Sequence, residues 1–403
     1  MICLFEDRLV EDLYPLTETR FAADLLIGGM TMRERVTAMV ASEPVLLHGR
    51  GYLWSVYPDQ FLPAQPTEPV LFLNARGRFQ PSFFQSLSKE TGWILRDGQN
   101  VVAARLAPEE VASLDLTQDY ISFGNNLKAF NLKTTTWKFY RYLWEMIVDN
   151  GDAIYDDSKL IGEGTKRLLP DGVYRCGDHD LIADDNVTLQ PGVVLDCTDG
   201  PVILGANITV MANSVIQGPC MVGANSTVKI GAKIYHGTTI GPWCKVGGEV
   251  ENSIIIGCSN KQHDGFLGHS YLGAWVNLGA DTNTSDLKNT YGQIRVNLSG
   301  REVDTDQMFI GSLIGDHSKT GINTMLNTGS VIGVFANIFG SGFSPKNIPS
   351  FSWCDGSTIT PYRLDKALEL AKRVMVRRKI VFSEADQGVL KYLYRCVHPE
   401  SNV

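Results

Sequence analysis

The chain has no close cysteine pair of the C-x-x-C kind. Its eight cysteines stand alone at positions 3, 176, 197, 220, 244, 258, 354 and 396, which excludes a zinc framework built on such pairs. In a chain of 403 residues isolated cysteines read as reduced, mostly buried thiols of a reducing compartment. No apolar run approaches the roughly 18 residues that a membrane-spanning helix needs. The start, Met1-Ile-Cys-Leu-Phe-Glu-Asp, lacks a basic region followed by an apolar stretch, so no signal peptide is expected and the expected location is cytoplasmic. Positive charge is not in excess: 36 Lys and Arg face 44 Asp and Glu, a net charge of -8. That argues against a general nucleic-acid binder, which would carry a basic patch, but local cations can still hold phosphate.

What is abundant is glycine, 39 residues, most of them beyond residue 160. Stepping by sixes through that region, Leu204, Val210, Ile216, Val222, Val228, Ile234, Ile240 and Val246 are all aliphatic. Gly205, Gly223, Gly241 and Gly247 follow four of them. The phase slips after Val246 and returns at Leu272, Leu278, Ile314, Leu326, Ile332 and Ile338, with Thr320 at the one missing step. A period of six fits neither a helix nor simple alternation. It fits a short strand plus a corner, with the apolar residue pointing into a narrow prism and small residues turning the corner. Three sides make one coil, so stacked positions lie about 18 residues apart and successive coils pair in parallel.

The rest of the chain is organised differently. Ile2–Phe5, Val45–Leu47, Val70–Leu73 and Val101–Leu106 read as buried strands. Thr31–Val40 and about Lys133–Asp149 read as helices, the second followed by a linker, Asn150–Gly164. Near the end, Thr360-Pro361 reads as a helix start. The stripe Leu364, Ala367, Leu368, Ala371, Val374 and Met375 follows, and Arg377, Arg378 and Lys379 read as a solvated helix end. Ser383 and Asp386 read as the cap of a last helix. These helices are expected to cover the open end of the prism. The expected domains are 1–150, a shortened α/β domain; 151–180, a linker; 181–343, the repeat; and 344–403, a helical tail.

The repeat is interrupted at residues 259–273, and a longer loop follows at Asp281–Gln293. Interruptions of a solenoid map to loops on one face, often the binding face. His263 and His269 lie there. An imidazole that is free near pH 7 can take a proton from an amine attacking a thioester, which is already activated and needs no covalent nucleophile. Each histidine could equally be held structurally by the corner backbone. A shared metal is disfavoured, because the two fall on successive sides of a coil.

The hexapeptides resemble those of the left-handed β-helix acyltransferases, which implies left-handedness, a homotrimer and active sites in grooves between subunits. The stretch from His263 to Thr282 resembles the acetyltransferase signature of the bifunctional bacterial enzymes that make UDP-N-acetylglucosamine. Those enzymes are glucosamine-1-phosphate acetyltransferases joined to N-acetylglucosamine-1-phosphate uridylyltransferases. The resemblance implies acetyl-CoA as co-substrate, His263 as general base and Asn277 as the sugar-positioning residue. It places Ala280, Thr282, Ser285 and Asp286 along acetyl-CoA, with Lys288 nearest to that loop's lysine. Phe266 stands where the family has a sugar-contacting Tyr, and Glu251 where it has a phosphate-contacting Lys. Lys261, Arg295 and Lys319 are candidates for the displaced positive charge.

The N-terminal part resembles a divergent branch of the same architecture. It carries Leu13-Tyr-Pro-Leu-Thr-Glu-Thr-Arg20 and Leu25-Leu-Ile-Gly-Gly-Met-Thr-Met-Arg-Glu-Arg35. The implied chemistry is nucleotidyl transfer, in which a sugar-1-phosphate attacks the α-phosphate of UTP or dTTP with Mg²⁺. The family's glycine-rich loop, L-A-A-G-x-G-T-R-M, is absent, and Thr17, Thr19, Arg20 and Arg33 are candidates for part of its work. Arg76 stands where the metal-binding Asp would be. Asn74, Glu6 and Asp7 are nearby, but no metal pair is identifiable. The leading expectation is an α/β nucleotidyltransferase-like domain joined to a left-handed parallel β-helix with a helical tail, catalysing both steps. The alternatives are nucleotidyl transfer alone, for example on glucose-1-phosphate, with the β-helix as a trimerising scaffold, and binding of sugar nucleotide without turnover.

Overall fold

The structure, a computed structural model, describes residues 1–40, 43–123, 131–162, 169–184 and 186–400. The first part is a six-stranded mixed sheet in the order Val45–His48, Ile2–Phe5, Val70–Asn74, Asn100–Leu106, Trp93–Asp97, Asn131–Thr134. Ile2–Phe5 lies in parallel between Val45–His48 and Val70–Asn74, and each of its residues is buried. This is why the strand reads as an uninterrupted apolar run. The helix expected at Thr31–Val40 spans Met32–Val40.

The second expected helix is displaced. Asn131–Thr134 is an edge strand, and the helix runs from Leu143 to Ile161. Trp137 instead packs on Phe79 and Phe83, with ring centroids 5.2 and 5.0 Å apart. Its helical spacing from Trp144 therefore came from two separate contacts. The helix begins where Glu145 accepts the N–H of Tyr142 at 3.0 Å. It passes through Asn150 and much of the stretch read as linker; of the remainder, 163–168 lie outside the described residues.

Beyond it the chain winds as a parallel β-solenoid. One face is a nine-stranded sheet from Leu181–Ala183 to Asn347–Ile348. Val202 pairs with Cys220 and Cys220 with Thr238, the 18-residue coil that the period of six predicts. The whole row from Leu204 to Val246 points inward, each residue no more than 1% exposed. The phase slip is a shortened coil: Ile240 pairs with Ile255, and Val246 with Lys261. After Leu272 the partner is Ile314. The intervening excess forms a projecting loop with the hairpin Arg295–Leu298/Arg301–Asp304.

One corner of the prism is left-handed in coil after coil, at Asn207, Asn225, Trp243, Cys258, Trp275, His317, Phe335 and Phe351, with φ between 53° and 64°. Asn accepts that backbone readily, whereas bulky residues resist it. Stacking offsets the cost at the aromatic positions. The His317 ring lies 5.9 Å from Trp275 and 4.5 Å from Phe335, and Phe335 lies 5.5 Å from Phe351, all within 10° of parallel.

The tail departs from its expected start. Thr358–Pro361 is a strand, antiparallel to Ser352–Asp355, and the helix begins at Leu364 after the extended Arg363. The strand closes the last coil at an outer edge, where the missing N–H of Pro361 is tolerated. Leu364, Ala367, Ala371 and Met375 bury the predicted stripe. The last helix, Glu384–Val397, does not sit on the open end alone: Tyr394 packs on Phe351 at 5.2 Å, and Tyr392 stacks on Tyr52 of the N-terminal part at 4.3 Å.

Candidate active sites

The junction between the two parts uses the residues of the two N-terminal motifs. Arg20 forms an ion pair with Asp316 of the solenoid, and the Thr19 hydroxyl donates to the same carboxylate at 2.8 Å. The other oxygen of Asp316 accepts the Ala274 N–H at 2.8 Å. Glu18 accepts from Ser350 at 2.8 Å, and burial pushes its carboxyl up to about 7. Thr17 is buried and donates to Val10 O at 3.2 Å. Arg33 pairs with Asp24 at 2.8 Å. Gly28 and Gly29 meet the linking helix: Asn150 accepts the Gly28 N–H and Asp157 the Gly29 N–H, each at 2.8 Å. Asp157 also holds buried Arg35 at 2.9 and 2.6 Å. Thr17, Thr19, Arg20 and Arg33 are thus occupied within the protein, holding the two parts together or packing the first.

A cleft of about 300 Å³ opens elsewhere in this part, beside the carboxyl end of Ile2–Phe5, where ligands of open α/β sheets bind. Arg8 and Arg96 line it, and Arg96 Nε is buried without a hydrogen-bond partner among the described residues. Reading from motifs missed both. The carboxylates nearest by are spoken for. Glu6 accepts from Arg50 Nε and Nη2, both at 2.9 Å, and from the Ala22 N–H at 2.8 Å. Asp7 accepts from Arg76 Nε and Nη2 at 2.8 and 2.6 Å and from Asn74 at 2.8 Å. Among the described residues no three His, Cys, Asp or Glu side chains converge as a metal site. The guanidinium of Arg76 stands beside Asp7 where a cation would have to sit, so this donor set does not fit Mg²⁺.

On the solenoid, a second cleft of about 620 Å³ lies between its outer face and the end of the helix Leu364–Val376. Asn277 and Lys319 line it together with Asn260 and Gln262. The backbone bridges Asn260–Asn277 and Asn277–Lys319 stack these side chains on consecutive coils. Lys319 donates to His317 O at 2.8 Å, and burial lowers its ammonium to about 8. The strand Asn260–Lys261 leads through Gln262 to His263, which is exposed at the next corner. Lys261 turns inward and donates to His263 O at 2.7 Å, and burial lowers it likewise to about 8. Lys261 therefore braces the His263 corner.

The remaining candidates scatter. Phe266 is half-buried, with its N–H on Asn283 at 2.9 Å. Arg295 is exposed on the hairpin, 3.7 Å from Asp304. Thr282 is buried against Thr320 at 2.7 Å, and Ser285 bonds Leu287 O at 3.2 Å. Ala280 is half-buried at the corner. Asp286 meets His269 Nδ1 at 2.8 Å, and that imidazole stacks on Phe309 at 5.2 Å. A carboxylate orienting a histidine in this way leaves Nε2 to exchange protons. The sequence held that signal in Gly268-His269-Ser270-Tyr271-Leu272-Gly273.

Residues 2–166 match the family described as sugar nucleotidyl transferase. A bifunctional sugar-1-phosphate nucleotidylyltransferase/acetyltransferase of Sulfurisphaera tokodaii is 33% identical over 91 residues, 23% of each chain. The bifunctional protein GlmU of a Synechococcus strain is 32% identical over 127 residues, 31% of this chain and 24% of its own. That of Methanococcus maripaludis is 34% identical over 85 residues, 21% of this chain and 20% of its own. The chain thus spans about a quarter or less of the length of these curated relatives, the first of which is a transferase by name. A solved UDP-N-acetylglucosamine acyltransferase from Campylobacter jejuni aligns with 55% of this chain and 94% of its own at 11% identity, with a TM-score of only 0.22. No helix among the described residues is long and apolar enough to cross a membrane, and all eight cysteines are free thiols.

Proposed function

We propose that this chain is a transferase of nucleotide-sugar synthesis. Its solenoid moves the acetyl group of acetyl-CoA to the amine of a hexosamine-1-phosphate. Its N-terminal domain joins a sugar-1-phosphate to a nucleoside monophosphate from UTP or dTTP, releasing pyrophosphate. The observation that carries the reading is that Asn277 stands in a cationic cleft whose strand runs into the exposed His263. In this step His263 takes a proton from the amine as it attacks the thioester carbonyl. The imidazolium then returns the proton to the departing CoA thiolate. Asn277 orients the sugar, and backbone N–H groups of adjacent coils face the oxyanion. Exposed Ile230, Ile322 and Phe343, each more than half accessible, support association of three copies through the solenoid. The reduced cysteines suit the cytoplasm.

The test is thiol release from acetyl-CoA with glucosamine-1-phosphate as acceptor. His263→Ala is expected to lose roughly 10²–10⁴-fold of it. Loss in His269→Gln but not in His263→Ala would move the base to the Asp286-held imidazole. No release above background from the unmodified chain would end the acetyl-transfer reading. For the N-terminal domain a second reading, binding without turnover, is favoured by the guanidinium groups that occupy Glu6 and Asp7. Pyrophosphate release from UTP and a sugar-1-phosphate in the presence of Mg²⁺ decides between the two.

A further inference from the structure

The run Arg377-Arg378-Lys379 is more than a solvated helix end. These three residues form one wall of the cleft that holds Asn277, and Lys245 and Lys319 stand on the solenoid side of it. Five cations therefore share one cavity whose lining contains no carboxylate. None of the five forms an ion pair among the described residues, although ion pairs are common elsewhere on the chain. Among the described residues the hydrogen-bond partner of Arg378 is a neutral acceptor, Asn260 Oδ1 at 3.2 Å, and that of Lys319 is a backbone carbonyl. Like charges gathered without counterions are unfavourable unless a ligand supplies the negative charge.

The cleft also has flat surfaces. Trp243 and Trp275 line it from the left-handed corner, with the small Cys258 on the coil between them. Coils repeat at about 4.8 Å, so the two indoles flank a gap of two steps floored by a thiol. Trp243 is 42% exposed, a costly position for an indole unless a ligand covers the open part of it.

We infer that this cleft, closed by the C-terminal helix, is a binding site for a phosphorylated, ring-bearing small molecule. Arg377, Arg378, Lys245 and Lys319 take its phosphate oxygens, and the indoles take its ring. The guanidinium fork suits bidentate contact with phosphate. The inference deepens the acetyl-transfer reading and rests on it only for the ligand's identity. A sugar-1-phosphate acceptor and the phosphates of CoA share the chemistry required.

The experiment is equilibrium binding to the full chain, followed by calorimetry and tryptophan fluorescence without turnover. The probes are glucosamine-1-phosphate and CoA, with glucosamine and pantetheine as phosphate-free controls. At least one phosphorylated probe is expected to bind and its control to fail. Tight binding by glucosamine-1-phosphate alone names the acceptor, and by CoA alone the donor. Arg378→Gln is expected to weaken the bound probe by roughly ten- to a hundredfold. The triple variant Arg377→Gln/Arg378→Gln/Lys379→Gln, confined to a half-exposed helix end, serves as the check that does not disturb the solenoid. His263→Ala that loses turnover yet keeps this binding supports the site independently of the base. Undiminished affinity for both probes in the triple variant, or no binding of either to the unmodified chain, overturns the inference whether or not acetyl transfer is found.

Discussion

Replacing Asp316 by alanine is the most direct test of how the two parts are joined. The side chains of Asp316 and Arg20 are 7% and 12% exposed. One carboxylate oxygen takes the Arg20 guanidinium and the Thr19 hydroxyl, and the other takes the Ala274 N–H. Asp316→Ala strands a nearly buried cation and an amide donor at once. Breaking a buried ion pair from one side costs about 3–5 kcal/mol, mainly because the remaining charge is left uncompensated. Removing both charges avoids that term, so Arg20→Met/Asp316→Ala is expected to be less destabilised than the sum of its parts. The coupling should be about 2 kcal/mol, within the range for contacting residues. Urea is the suitable denaturant because it does not screen charge, and fluorescence of Trp275, which stacks on His317 next to Asp316, reports the junction. If Asp316→Ala unfolds within 1 kcal/mol of the unmodified chain, or if the two substitutions are additive, the pair is not what holds the parts together.

Four further outcomes are expected. Gly28 has φ of +67°, and a Cβ there would stand 2.4 Å from Asp157 Oδ2; Gly28→Ala should lower the melting temperature by several degrees, and an unchanged melting curve would show that the linking helix does not press on this turn. Lys261 and Lys319 are both lowered by burial from 10.5 to about 8, so the unfolded chain binds more protons between those values and stability should rise as pH climbs from 8 towards 10.5. Lys319→Met should remove roughly half of that slope in urea titrations at several pH values, Lys261 keeping the rest, and an undiminished slope would place the Lys319 ammonium in water. Burial also holds His317 neutral well below its ordinary range, with Nδ1 unpaired among the described residues; His317→Phe should keep the ring stack and reduce the loss of stability as pH falls below 6.5, whereas equal acid sensitivity in both chains would contradict a buried neutral imidazole. Arg8→Gln and Arg96→Gln should weaken UTP binding roughly tenfold or more while Arg33→Gln does not, and the reverse order would return nucleotide binding to the first motif.

Much of this molecule was legible because a solenoid is nearly one-dimensional. Each coil contacts its neighbours in sequence, so a period of six maps directly to an inward row, and every residue from Leu204 to Val246 in that row is buried. The buried strands of the first part were legible for a similar reason, since a strand covered on both faces is a continuous apolar run. Helix boundaries were not. Trp137 and Tyr140 kept helical spacing while serving a loop, and Thr360-Pro361 carried cap residues into an edge strand. Local signals are degenerate where packing from afar decides.

For the sites the division is sharper. The sequence by itself determined that the repeat is interrupted around His263 and that Asn277 follows at a fixed spacing, because both depend on neighbours along the chain. Only the tertiary structure decided that Thr19 and Arg20 face Asp316 nearly 300 residues away, that Arg76 neutralises Asp7, and that Arg377–Lys379 return to the neighbouring coils bearing Asn277 and Lys319. Charges act through space and not along the chain. Their partners are set by how the tail and the linking helix fold back on the prism, and no local spacing encodes that return.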